Sequence, residues 1–110
     1  VYSGALATAG DVVFYGTMDR WFKAVHAHTG QVLWQFRTGS GIISPPITYR
    51  GTDGKQYVAI VDGVGGWAGS IVSAGLDARD GYADKGFVNA MKDLPDHTQR
   101  GGNIYVFALP

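Results

Sequence analysis

No cysteine occurs among the 110 residues, which excludes a disulfide framework and any zinc site built on thiolates, and leaves the redox compartment unread. Charge is sparse, at 16% of residues, and balanced, with nine Lys and Arg against nine Asp and Glu. Without a Lys/Arg cluster, neither nucleic acid nor an anionic membrane surface is an expected partner. No apolar run approaches the roughly 18 residues of a membrane-spanning helix. A Ser/His/Asp arrangement and a nucleophile elbow are also missing. Polar ends are lacking too: Val1-Tyr2-Ser3-Gly4-Ala5-Leu6 opens directly, and Ile104-Tyr105-Val106-Phe107-Ala108-Leu109 reads as a strand that stops at Pro110. Both ends read as cut or as buried in a neighbour, so the chain is expected to be a piece of a larger protein.

Seventeen glycines, 45% hydrophobic and 13% aromatic residues are present instead. Glycines placed between aromatic and β-branched runs point to an all-β chain with tight connections. Expected strands are Val12–Thr17, Trp21–Val25, Val32–Arg37 and Gln56–Val61, with a closing strand over Ile104–Leu109. Val32, Trp34 and Phe36 share one face of their strand, and Leu33, Gln35 and Arg37 the other, the period-2 alternation of a half-buried strand. Ile42–Tyr49 is expected to be extended but irregular or at an edge, because Pro45 and Pro46 remove two backbone donors. The stretch from 70 to 100 is too long for an ordinary loop, and its helical candidate runs from about Tyr82 to Asp93. Such excursions from a regular β array often carry function. One sheet of this size cannot bury its own Trp and Phe residues. Stacked blades can, which points to a β-propeller.

Three constellations have chemical content. In Ala24-Val25-His26-Ala27-His28-Thr29-Gly30-Gln31-Val32-Leu33-Trp34, a Thr-Gly turn places an indole on the next strand. From there it can stack on the neighbouring blade and donate its N–H to a backbone carbonyl. His26 and His28 are also spaced as metal ligands, but no third ligand accompanies them, and solvated turn residues are the simpler reading. In the second, Gly63, Gly65 and Ala68 satisfy G-x-G-x-x-A, with Asp84 downstream. This dinucleotide fingerprint needs a βαβ unit, and the region around it reads as hairpins. The loop can equally pack its backbone closely and present Trp67, either as core or as the wall of a pocket. In the third, Asp77, Asp80, Asp84, Asp93 and Asp96, with Arg79 and Arg100, lack EF-hand spacing and read as a solvated surface, and His97 reads as exposed.

Laid out in this way, the chain resembles the C-terminal part of the large subunit of the quinoprotein methanol and alcohol dehydrogenases. The resemblance rests on Gly4-Ala5-Leu6-Ala7-Thr8-Ala9-Gly10-Asp11-Val12-Val13-Phe14-Tyr15-Gly16-Thr17, the Thr-Gly…Trp motif, Gly39-Ser40-Gly41-Ile42-Ile43, Gln56-Tyr57-Val58-Ala59-Ile60, Gly63-Val64-Gly65-Gly66-Trp67 and Tyr105-Val106-Phe107-Ala108-Leu109. Met18-Asp19-Arg20-Trp21-Phe22-Lys23 and Gly86-Phe87-Val88-Asn89-Ala90-Met91-Lys92-Asp93-Leu94-Pro95 are most similar to the lanthanide-dependent branch. The resemblance implies the last blades of an eight-bladed propeller, with one long loop and short-helix excursion. It divides the chain at about residues 1–40 (a docking-motif blade), 41–69 (the next strands and a glycine-rich pocket loop), 70–100 (the excursion) and 101–110 (the closing strand).

It further implies a periplasmic enzyme that oxidises a small primary alcohol, methanol above all, to the aldehyde. Pyrroloquinoline quinone and a lanthanide or calcium ion would be its cofactors, a cytochrome c its electron acceptor, and a homodimer its assembly. Trp67 matches the family's cavity Trp beside the quinone, and Tyr2 stands where the family usually has a second Trp. The base and the metal ligands would lie outside this chain, which alone would be inactive. His26 replaces the usual Asp of the docking motif, and Lys85 stands about where some relatives have an apolar pocket residue. A propeller scaffold for protein partners, without enzymatic activity, is the alternative.

Overall fold

The computed structural model describes residues 3–65, 68–70, 76–77, 79–80, 82, 87–98 and 101–109. Strands β1 (Ala5–Ala7), β2 (Val12–Gly16), β3 (Trp21–His26) and β4 (Val32–Arg37) form an antiparallel meander in that order. A second antiparallel sheet holds β5 (Ile47–Arg50), β6 (Gln56–Val61) and β7 (Ile104–Ala108), again in chain order. Among the described residues of the Tyr82–Asp93 candidate, only Phe87–Ala90 is helical, followed by a 3-10 turn at Leu94–His97. Pro95 at the start of that turn disfavours α geometry just before it.

The register explains which side chains meet. Phe14 stands opposite Ala24, Phe22 opposite Phe36, and Ala24 opposite Trp34, so these residues share one face of the first sheet. Val58 opposite Phe107 and Ile60 opposite Tyr105 make the facing surface of the second. The two faces close on a core of Phe14, Phe22, Ala24, Ile42, Val58 and Ile60. Phe107 lies 4.9 Å edge-on from Trp34, 5.2 Å from Phe36 and 5.8 Å from Phe22, centroid to centroid. These are favourable aromatic separations, each contributing about 0.5–1.5 kcal/mol beyond area burial. Gly16 makes the close approach possible, since a Cβ there would sit 2.2 Å from Ile42 Cγ2.

Ile42–Tyr49 is less regular than one strand. β5 begins only at Ile47, past the proline pair, and pairs on one side with β6. Ile42 instead makes an isolated parallel bridge with Gly63. The Thr-Gly…Trp motif acts through stacking: Trp34 packs on Phe22, Phe36 and Phe107. No described residue accepts its indole N–H, because β4 is an edge strand and Trp34 remains 39% exposed. His26 does brace its turn. Its Nδ1 accepts the backbone N–H of His28 at 3.2 Å, while Gly30, at φ 72°, donates its N–H to the His26 carbonyl.

Toward the β1–β2 and β5–β6 connections the sheets diverge into an apolar groove of about 780 Å³, lined by Thr8, Phe14, Trp34, Val58, Phe107 and Leu109. The first sheet has four strands and the second three, and no described strand pairs with the outer edge of β7.

Candidate functional site

In an antiparallel meander successive connections fall alternately at two ends. The turns at 8–11, 27–31 and 51–55 lie at one end, and those at 17–20, 38–46 and 62–103 at the other. The second end carries both roots of the long excursion, joined to the neighbouring turns by backbone hydrogen bonds among the described residues. Thr38 donates its N–H to the Arg20 carbonyl and its hydroxyl to the Ser40 carbonyl, both at 2.8 Å. Ile42 donates to Thr17 O, Gly41 to His97 O, and Gly63 to Gly41 O, all within 3.0 Å. A second apolar cluster of Ala68, Val88, Met91 and Leu94, packed on Met18, Ile43 and Val64, fastens the excursion to this end.

At the junction sits Asp62, 1% exposed. Its Oδ1 accepts the Asn103 N–H at 2.6 Å, and its Oδ2 accepts the Ser40 N–H at 3.0 Å. The Tyr105 hydroxyl accepts the Gly39 N–H at 3.1 Å and reaches Asp62 Oδ2 at 3.3 Å, where it donates. The main chain repeats the connection, since the Asp62 N–H donates to Asn103 O at 3.0 Å. One buried carboxyl group therefore joins the loop after β4 to both roots of the excursion. Sequence reasoning passed over Asp62 as the end of a strand. The available signal was an acidic residue closing the apolar run Val58-Ala59-Ile60-Val61 just before a glycine, a place where burial demands partners.

Beside the junction lies a cleft of about 350 Å³ bounded by Met18, Asp19, Met91, Asp93, Leu94 and His97. The Thr17 hydroxyl donates to Asp19 and holds that carboxyl below its ordinary pKa, with smaller contributions from the nearby His97 and Lys23. A lowered folded-state pKa stabilises the fold above the ordinary carboxylate range, and the contribution disappears as pH falls through the lowered value. Thr17→Val is expected to move the Asp19 titration upward, followed by the carboxyl carbon resonance in NMR. An unchanged midpoint would refute the hydroxyl as the cause.

The two site residues picked from the sequence, Tyr2 and Trp67, lie outside the described residues, as do Asp84, Lys85 and Arg100. Asp77 pairs with Arg79 on the surface, while Asp93 and Asp96 belong to the turn that carries His97. Among the described residues no three His, Cys, Asp or Glu side chains are grouped to hold a metal, and His28 pairs with Asp11 at 3.4 Å. The dinucleotide reading fails, because β6 is antiparallel to both its neighbours and forms no part of a βαβ unit.

Two antiparallel sheets stacked face to face through an aromatic core are adjacent propeller blades in form. The family model of the PQQ glucose/ethanol/alcohol dehydrogenase β-propeller domain matches residues 1–58. The chain belongs to this family. It is 55% identical to the lanthanide-dependent methanol dehydrogenase of Methylacidiphilum fumariolicum (strain SolV) over 99% of its own length and 18% of that relative's. It is 50% identical to methanol dehydrogenase (cytochrome c) subunit 1 of Methylobacterium organophilum, over 99% of the chain and 17% of the relative. A solved structure of a europium-containing methanol dehydrogenase matches with a TM-score of 0.81 and 55% identity, over 99% of this chain and 19% of that one. The chain thus spans under a fifth of the length of these quinoprotein relatives.

Proposed function

We propose that this chain is a section of a quinoprotein alcohol dehydrogenase that oxidises a small primary alcohol, methanol foremost, to the aldehyde. The observation that carries the reading is the match of 99% of the chain, at 55% identity and a TM-score of 0.81, to a europium-containing methanol dehydrogenase. The name of the Methylacidiphilum relative supports a lanthanide ion over calcium, and that of the Methylobacterium relative supports a cytochrome c as acceptor. A periplasmic location and a homodimeric assembly complete the proposal. Residues from about 1 to 40 would form one blade of an eight-bladed ring and the remainder the next, with a strand from elsewhere in the protein pairing with β7 and filling the open groove.

The described residues suit a frame, not a ligand set. Both Asp62 oxygens are already occupied by protein donors, leaving that carboxyl group poorly placed to take a metal or a substrate proton. Bound in the full subunit, the quinone would supply an electron acceptor and the metal a Lewis acid. This chain would hold one wall of the cavity through Trp67, with Tyr2 as a second aromatic contact. Ser3 and Ala68 are the described residues nearest to them in sequence. Ser3 is buried, and its hydroxyl accepts the Gly16 N–H at 3.3 Å, which secures the start of β1. Water exclusion by such walls strengthens electrostatic interactions at the reacting centre.

The test is Trp67→Ala in the full-length subunit loaded with quinone and metal. Turnover of methanol is expected to fall, with faster loss of the quinone on dialysis. Unchanged kinetics and retention would remove Trp67 from the cavity. A full-length wild type that oxidises no primary alcohol would refute the enzymatic reading and favour a scaffold.

A further inference from the structure

We propose that Asp62 is the positioning residue of the quinone-bearing end, holding the glycine-rich segment that leads to Trp67 in register with both blades. The inference rests on the alcohol dehydrogenase reading and deepens it. The excursion leaves its sheet at Asp62 and returns at Asn103, and the two points are joined twice, by the Asp62 N–H to Asn103 O and by the Asn103 N–H to Asp62 Oδ1. The second carboxyl oxygen reaches across to Ser40, in the loop leaving the other sheet. Tyr105 extends this connection to Gly39. A frame made only of main-chain pairs would fix the two roots to each other. The carboxyl group adds a buried side-chain link from both roots to the neighbouring blade, beside the main-chain pairing of Gly63 with Gly41.

The backbone just beyond Asp62 is held through the same loop. Gly63 turns at φ 110°, bridges to Ile42 and donates to Gly41 O. Gly41 belongs to the same loop that Ser40 ties to Asp62. Displacement of that loop therefore moves both supports of Gly63 together, and with them the course of the chain toward Trp67. Small misplacements of a site wall have large consequences for bound geometry. Asp62 itself touches no reacting group, so its influence would pass through this segment.

Asp62→Asn in the full-length subunit is the informative change, because it keeps shape while replacing one acceptor by a donor. With the amide nitrogen in the Oδ1 position the Asn103 N–H loses its acceptor, and in the Oδ2 position the Ser40 N–H does. Amide exchange at Ser40 or Asn103 is expected to quicken by roughly tenfold or more, the scale of a lost buried hydrogen bond. Binding of pyrroloquinoline quinone to the apo-subunit should weaken by a similar factor, and the absorption band of the bound quinone should shift, while the cooperative melt is retained. A folded Asp62→Asn subunit with wild-type quinone binding and spectrum would overturn the proposal, even if its exchange rates rise. If that variant fails to fold, Tyr105→Phe decides. It removes only the hydroxyl link and should accelerate Gly39 exchange with a smaller loss of quinone affinity; unchanged affinity and spectrum would overturn the proposal. An inactive wild type that still binds quinone would refute the alcohol dehydrogenase reading alone, leaving Asp62 to be judged by exchange and quinone binding.

Discussion

Phe22→Ala is expected to lower the unfolding free energy by about 3–5 kcal/mol, the usual range for truncating a buried aromatic residue, as measured by urea unfolding with an unchanged slope. Phe22 is fully buried at the centre of the sheet-to-sheet core. It stacks on Phe14 at 6.0 Å, meets Trp34 edge-on at 5.9 Å and lies 5.8 Å from Phe107. Three rings on three different strands thus lose a common neighbour. The backbone cannot collapse into the space, because β3 is held between β2 and β4 by its hydrogen-bond ladders. Trp34→Ala removes a larger side chain but is expected to cost less, since Trp34 already borders the open groove and is 39% exposed. If the two changes cost the same, the groove is closed in solution and the ranking by burial is wrong.

The contrast between these residues also shows how far local sequence reaches. The alternation of Val32, Trp34 and Phe36 against Leu33, Gln35 and Arg37 is a one-strand property, and it placed Trp34 and Phe36 together on the face that meets Phe107. The Thr-Gly turn and its Trp were legible for the same reason, since turn chemistry acts within a few residues. The stacking on the facing sheet is seen, while the indole N–H has no acceptor among the described residues, since that partner lies outside its own sheet. Asp62 was illegible for a related reason. Its donors stand 22, 41 and 43 residues away in the chain, so the apolar run before it hints at burial but cannot name its partners. Of the helical candidate from Tyr82 to Asp93, Phe87–Ala90 is helical among the described residues, with a 3-10 turn after it. Tyr2 and Trp67 were reached through family resemblance, since no period or spacing in this chain singles out one aromatic as a cofactor wall.

Gly63→Ala is expected to be strongly damaging at the end that carries the excursion. Two costs coincide there. At φ 110° an L-side chain is strained, and a Cβ would stand 2.9 Å from the Gly101 carbonyl oxygen and 3.3 Å from Gly102 Cα. Both obstacles are backbone, so no rotamer change relieves them. Conformational strain of about 1–2 kcal/mol and overpacking of about 1–3 kcal/mol together predict a loss of about 2–5 kcal/mol in thermal or urea unfolding. Gly54→Ala supplies the control: Gly54 also has positive φ, at 80°, but a Cβ there meets nothing within 4 Å. It should show the strain contribution by itself, about 1–2 kcal/mol. Relief of the Gly63 overlap requires the two roots of the excursion to separate, which pulls Asn103 away from Asp62 and Gly63 away from Gly41. Amide exchange at Gly63 and Asn103 should therefore rise in Gly63→Ala and stay at the wild-type rate in Gly54→Ala. Equal losses in the two variants, without accelerated exchange at the junction, would mean that the contact between the roots is not what requires glycine at position 63.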